Sequence, residues 1–257
     1  MRPIIIGAGR GSRLAHMTEE IPKTLVPVMG RPMLEWILDA LGEGGFSAKD
    51  VVFVCGYQAD VIRARYPDFT YVENREWEKN NILLSLLCAR DYLHEGFIST
   101  YADIVYRGRI VHDLRAAPFD IALGTDTDWR RRYRDRKDHP ESDGEKLSAT
   151  DDGIVTRVSR RIDSAAAHGE FIGVQKLTAT GAAAMLEAFD RAKSEFSGRE
   201  FREGRTFEKA YIIDLYQWMI ERDGTTMHAV DMHGGYMEID TLEDHAHAQK
   251  WWDESAR

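Results

Sequence analysis

Residues 7–14 read Gly7-Ala8-Gly9-Arg10-Gly11-Ser12-Arg13-Leu14, and Pro22-Lys23 follows shortly after. Ahead of this loop, residues 2–6 form a short apolar run that stops at glycine, the pattern of a buried parallel strand. Glycines let a backbone approach a phosphate chain and turn its N–H groups inward. Gly7, Ala8, Gly9, Gly11 and Ser12 are therefore candidates for holding nucleotide phosphates. Arg13 and Lys23 supply fixed positive charge where a triphosphate would lie. Two familiar phosphate loops are excluded. A dinucleotide fingerprint begun at Gly7 needs glycine where Ser12 stands, and one begun at Gly9 needs glycine where Leu14 stands; no G-K-[ST] follows for a P-loop.

Outward from the loop, residues 33–41 carry apolar side chains at helical spacing and end at Gly42, Gly44 and Gly45. Strands are predicted over 51–54, 69–72, 97–100 and 119–123, and helices over 58–65 and 82–93. Strand and helix thus alternate on short connections, which predicts βαβ units and a mainly parallel sheet covered on both faces. Ligands of such sheets lie at the carboxyl ends of the strands, where the Gly7 loop, Asn80, Asn81 and Asp103 converge.

Residues 126–144 are polar and Arg-rich around Trp129 and Tyr133, and read as a long insertion over the crevice. A hairpin is predicted from 146–148 and 154–158 around Asp151-Asp152-Gly153. A strand over 170–174, helices over 178–192 and 207–220, and strands over 226–230 and 236–239 follow. A helix over 241–252 closes the chain, with Thr241 and Asp244 forming a capping box. No linker or repeat divides the sequence. The expectation is one domain, residues 1–257, with 1–125 mainly nucleotide-binding and 126–257 mainly acceptor-binding.

The chain has 257 residues and a net charge of −9, with 43% apolar and 30% charged residues. An acidic balance argues against a nucleic-acid partner. No apolar run is long enough to span a membrane and no signal peptide fits, so a cytoplasmic protein is expected. Cys55 and Cys88 each lie in an apolar stretch and read as buried small hydrophobes. The sequence leaves a homo-oligomer open.

The stretch from Ile4 to Pro27 resembles the N-terminal signature of the nucleotidyltransferases that act on sugar phosphates and phosphocholine: a strand, A-A-G-x-G-x-R-[LM], then P-K. The departure is Gly7, where alanine is usual. The match continues through Lys23-Thr24-Leu25-Val26-Pro27-Val28, Gly30, Pro32-Met33-Leu34-Glu35 and Gly56-Tyr57. Asn80-Asn81-Ile82-Leu83-Leu84-Ser85-Leu86 resembles a segment of the phosphocholine cytidylyltransferase branch, and so does Glu238-Ile239-Asp240-Thr241. The resemblance implies a Rossmann-like, three-layer α/β fold with an acceptor-binding insertion. It implies transfer of CMP from CTP to a small phosphorylated alcohol or a phosphonate, with release of pyrophosphate and Mg²⁺ as cofactor.

On this reading Arg13 and Lys23 act on the triphosphate. Asn80, Asn81 and Ser85 contact the nucleotide, since amides donate and accept at a pyrimidine edge. Asn80 or Asn81 could equally be a helix N-cap. Asp103 and Asp240 are the implied metal ligands, although Tyr101-Ala102 departs from the usual residues before the first aspartate. Glu145-Lys146 resembles the pair that holds the acceptor, with Lys146 on its phosphate, and Glu170 resembles a residue of the acceptor wall. Trp129 and Tyr133 are candidates for caging a quaternary ammonium, or else part of a solvated basic loop. Two alternatives stay open: a hexose 1-phosphate nucleotidyltransferase using UTP, GTP or dTTP, and a nucleotide-binding regulatory module without turnover.

Overall fold

The computed structural model describes residues 1–251 apart from Arg205. The sequence expectation for Trp252, at the end of the last helix, lies outside the described residues. In chain order the elements are β1 (Arg2–Gly7), the short hairpin β2 (Pro27–Val28) and β3 (Arg31–Pro32), α1 (Met33–Glu43), β4 (Val52–Cys55), α2 (Ala59–Arg65), β5 (Thr70–Glu73), α3 (Ile82–Cys88), β6 (Phe97–Tyr101) and β7 (Ile104–Tyr106). There follow α4 (Arg109–Ala116), β8 (Ile121–Asp126), α5 (Arg130–Tyr133), β9 (Lys146–Ala149), β10 (Val155–Val158), β11 (Gly169–Leu177), α6 (Ala179–Phe196), α7 (Ile212–Asp223), β12 (His228–Met232), β13 (Tyr236–Glu238) and α8 (Leu242–Trp251).

Strands run in the order β10-β9-β11-β6-β1-β4-β5, with β8 beside β11 and β12 beside β8. The N-terminal strands β6, β1, β4 and β5 are all parallel. β11 then pairs antiparallel with β6, β8 and β9, so the sheet is mixed beyond that point. The apolar run of β1 is explained by burial on both faces. Ile4 and Ile6 enter one core with α3, α6 and α7, while Ile5 enters the other with α1, α2 and α4. β4 divides in the same way, Val52 and Val54 to one side and Phe53 and Cys55 to the other. The result is helix, sheet, helix: the three-layer α/β architecture.

β7 and β13 form a separate antiparallel pair in which Glu238 faces Ile104. One step further the Ile239 N–H donates to the Asp103 carbonyl at 2.9 Å. Two residues distant in sequence, Asp103 and Asp240, are thereby brought to the carboxyl edge of β1 and β6.

Several expectations need correction. Residues 126–144 are not a free loop: β8 runs to Asp126, α5 follows, and Trp129, Arg132, Tyr133, Arg136 and His139 are buried. The helix predicted over 82–93 breaks after Cys88, and the one predicted over 207–220 begins only at Ile212. β7 and α4 lie between expected elements and were not anticipated. Cys55 is buried as expected, whereas Cys88 is exposed, because helical phase turns it away from the face that buries Leu83 and Leu86. Among the described residues, no helix is long and apolar enough to cross a membrane.

Candidate active site

The turn after β1 is shaped by two glycines. A Cβ at Gly7 would lie 2.6 Å from the Phe53 ring and 2.9 Å from the Ala102 Cβ. The bulk of Phe53 and Ala102 explains glycine where alanine is usual. Gly11 has φ of +69°, and a Cβ there would strike the Lys23 side chain at 2.5 Å. Glycine thus both permits the left-handed turn and opens the channel through which Lys23 reaches the site.

Lys23 is buried, and its Nζ lies 2.8 Å from Asp103 Oδ2 while also donating to Asp240 Oδ1. The second Asp240 oxygen accepts from the Arg13 guanidinium. Burial opposes the charge on Lys23, but Asp103 and Asp240 outweigh it and raise the pKa, so the ammonium persists. Burial likewise opposes the Asp240 charge, and Lys23 and Arg13 hold that carboxyl well below the usual range.

Two cavities meet at this ion network. The first, about 410 Å³, is lined by the 7–13 loop, Lys23, Trp77, Asn80, Asn81, Ser85 and Lys209. The second, about 370 Å³, is lined by Tyr101, His139, Asp143, Glu145, Arg160, Glu170, Phe171, Tyr211, Tyr236 and Glu238. Arg13, Asn81, Ile82, Asp103 and Asp240 line both. Behind the wall of the first cavity, the buried Asn74 exchanges amide hydrogen bonds of 2.8 and 3.0 Å with Asn80 and also donates to Ser85 Oγ at 2.9 Å. Asn81 occupies the N-cap position of α3, yet its side chain makes no capping bond. It donates instead to the Lys209 carbonyl at 3.1 Å. The amides form a fixed polar wall rather than a cap.

In the second cavity the Tyr101 hydroxyl donates to Glu145 at 3.0 Å. Burial pushes the Glu145 carboxyl up to about 8, against the pull of Tyr101 and Arg160. Arg160 lies over the Tyr211 ring, donates to its hydroxyl at 2.7 Å and to Asp143 at 2.9 Å. Glu170 accepts from Arg132 and from the Tyr133 hydroxyl.

Three expected acceptor contacts are not found at this cavity. Lys146 is 1% exposed, and its ammonium donates to the Glu141 and Gly144 carbonyls at 3.0 and 3.4 Å. Extended backbone sends neighbouring side chains to opposite sides, so Glu145 faces the cavity and Lys146 faces away. Trp129 and Tyr133 are equally buried, and neither lines the cavity. Tyr133 orients Glu170, while Trp129 packs edge-on against Tyr133 and beneath the Lys146 ammonium. The stretch is not a solvated basic loop either, since Arg132 and Arg136 turn inward as counter-ions of Asp126, Glu170 and Asp244. Lys146→Ala should cost about 1–3 kcal/mol of stability by orphaning two carbonyls. Urea unfolding measures that loss, and turnover of the folded enzyme should fall by no more than about threefold.

Sequence reasoning missed Tyr101, Arg160, Tyr211, Lys209 and Trp77. Tyr101 was visible only as a departure from the usual pattern. Arg160 sits in an ordinary Arg-Arg pair that carries no local signal. Glu238 stood inside the quoted Glu238-Ile239-Asp240-Thr241 segment without a role.

The centre suits a hard divalent cation. Asp103 Oδ1 is buried and has no hydrogen-bond partner among the described residues. It stands beside the ionised Asp240, so the donor set is carboxylate oxygen.

Residues 3–203 match the family described as the MobA-like NTP transferase domain. The chain is 25% identical over 253 residues to the CTP:phosphoglutamine cytidylyltransferase of Campylobacter jejuni, covering 95% of this chain and 97% of that one. It is 28% identical over 187 residues to the choline-phosphate cytidylyltransferase of Streptococcus pneumoniae, covering 67% and 80%. The solved CTP:phosphocholine cytidylyltransferase of Streptococcus pneumoniae shares the fold, with a TM-score of 0.71 and 22% identity over 97% of this chain and 99% of that one.

Proposed function

The chain belongs to the MobA-like NTP transferase family and is a nucleotidyltransferase, and on that premise we propose that it transfers CMP from CTP to a small phosphorylated or phosphonate acceptor carrying a cationic group. The observation that supports this reading most is the meeting of two cavities at Arg13, Asp103 and Asp240. One offers backbone N–H groups and fixed amides; the other is rich in carboxylates. A relative whose name specifies CTP and phosphoglutamine, aligned along nearly the whole chain, and a choline-phosphate cytidylyltransferase, aligned along much of it, support the same reading.

In this proposal the N–H groups of the 7–13 loop and the Arg13 guanidinium hold the triphosphate. Asn80, Asn81 and Ser85 meet the base, and Trp77 supplies an apolar wall beside it. Asp103 and Asp240 hold Mg²⁺, which when bound neutralises charge on the phosphates. The Lys23 ammonium keeps Asp240 ionised and holds both carboxylates in place. Across the junction, Arg160 faces the anionic group of the acceptor while Glu145 faces its cation. The acceptor oxygen is already anionic, so no general base is required. The catalytic effect comes from placing that oxygen in line with the α-phosphorus and from fixed charge.

Pyrophosphate release tests the reading, with CTP, UTP, GTP, ATP and dTTP crossed against phosphocholine, aminoethylphosphonate, inositol phosphate and hexose 1-phosphates. Turnover with CTP and one cationic acceptor is expected. Turnover only with a hexose 1-phosphate and another nucleotide would overturn it, and nucleotide binding without any turnover would favour a regulatory module.

Glu145 gives this reading a pH signature. The groups acting on it are Tyr101, Arg160, Asp214 and Glu170, and burial dominates. Below about 8 the carboxyl is neutral and attracts a cation weakly. As pH rises through that value it ionises, so KM for a cationic acceptor should fall roughly tenfold between about pH 7 and about pH 9. Glu145→Gln should remove the dependence, and a KM that stays flat in the native enzyme would exclude Glu145 from the cation site.

A further inference from the structure

His139 is the one imidazole that lines the acceptor-side cavity among the described residues, and its side chain is 2% exposed. Its Nδ1 lies 3.0 Å from Asp244 Oδ2, an oxygen that also accepts from the Asp240 and Thr241 N–H groups at 3.0 and 2.9 Å. Arg136 Nε lies 3.0 Å from the other oxygen of the same carboxylate. Asp244 is thus an ionised acceptor held from several sides, and it fixes the histidine proton on Nδ1. The Nε2 lone pair then points away from Asp244, towards Glu238 Oε2 at 3.5 Å.

A lone pair aimed at a carboxylate oxygen at that range is repulsive unless a proton or a metal cation stands between them. Asp240 supplies a third donor: one ligand atom each from His139, Glu238 and Asp240 lie within 4.8 Å of one another. A carboxylate behind the imidazole, a free Nε2 in front of it and two carboxylates converging on the same point form the usual surroundings of a histidine-bound metal ion. The Lys23 ammonium compensates Asp103 and Asp240 but makes no contact with Glu238.

We propose that His139 Nε2, Glu238 and Asp240 form a second divalent cation site, selective for a transition ion of the Mn²⁺, Co²⁺ or Zn²⁺ class and opening on the acceptor cavity. Imidazole nitrogen favours those ions over Mg²⁺, which prefers oxygen donors. The ion faces the space where the acceptor's phosphate or phosphonate oxygens would lie. The site shares Asp240 with the proposed transfer centre and deepens that reading, but it requires neither CTP nor acceptor to be observed.

The test is pulsed electron paramagnetic resonance on metal-stripped protein titrated with Mn²⁺ alone. Bound Mn²⁺ with a directly coordinated ¹⁴N is the expected result. His139→Gln should lose the nitrogen coupling and weaken Mn²⁺ binding on the order of tenfold or more. Glu238→Gln should keep the coupling while weakening binding, which preserves the test if the histidine variant does not fold. Mn²⁺ bound through oxygen alone, no Mn²⁺ binding, or coupling that survives in His139→Gln would each overturn the assignment and leave a proton shared between His139 and Glu238. Pyrophosphate release from CTP in Mg²⁺ judges the transfer reading separately, and its outcome does not depend on the nitrogen signal.

Discussion

Asp103→Asn should lower the rate of pyrophosphate release by about 10²–10³-fold while leaving the unfolding temperature nearly unchanged. The side chain is 30% exposed and, among the described residues, makes a single ion pair, to Lys23. Lys23 keeps Asp240 as a partner after the substitution, so no buried charge is stranded. What is lost is carboxylate charge at the place where the two cavities meet, where Asp103 Oδ1 has no hydrogen-bond partner among the described residues. Asparagine preserves the volume and removes the charge. Steady-state turnover beside a thermal melt separates the two effects. Full activity in this variant would remove Asp103 from the proposed mechanism.

Lys23→Met should behave differently, and the contrast is informative. From the sequence alone, Lys23→Ala and Asp103→Ala would each be expected to lower turnover strongly without unfolding the protein. The structure keeps that expectation for Asp103 only. Lys23 lies buried between two carboxylates, and Asp240 is itself buried. Removing the ammonium leaves Asp240 with Arg13 alone, whose side chain is 54% exposed. Stranding a buried charge in this way costs about 3–5 kcal/mol. For a protein of this size that corresponds to roughly 10 °C in unfolding temperature. Turnover should also fall by about 10²–10³-fold, since the carboxylates lose the charge that holds them in place. Calorimetry and pyrophosphate release on the same preparation measure both. An unfolding temperature equal to that of the native protein would mean that the three groups are not coupled as described.

The parts of the fold legible in the sequence share one property: their signal is local. β1 and β4 are buried on both faces, so Ile4, Ile5 and Ile6 and all four residues of β4 are uninterrupted apolar runs, and each strand is visible without its neighbours. The capping pair Thr241 and Asp244 is three residues apart and is found in the structure with bonds of 2.9 and 3.1 Å. The Gly-rich loop was legible because backbone conformation there demands glycine itself. β7 was not legible: three residues are too few for a periodicity, and its partner β13 lies more than a hundred residues away. α3 was overextended because apolar spacing continues past Cys88 although the backbone turns at Ala89.

The second half of the site shows the opposite case. An arginine-rich, polar stretch reads as exposed whenever its counter-ions are far away in sequence. Arg132 finds Asp126 and Glu170, Arg136 finds Asp244, and the stretch folds inward. The same burial removes Trp129 and Tyr133 from the acceptor wall, and strand alternation removes Lys146 while retaining Glu145. Residues 7–14 and Lys23 carry the family and its chemistry in their order along the chain, because a tight phosphate-binding turn is a local object. The juxtaposition of Asp103 with Asp240, the inward turn of the arginines and the placement of His139 against Glu238 are not contained in any segment. They arise from the β7–β13 pairing and from charge partners remote in sequence, which become neighbours only when the chain is packed.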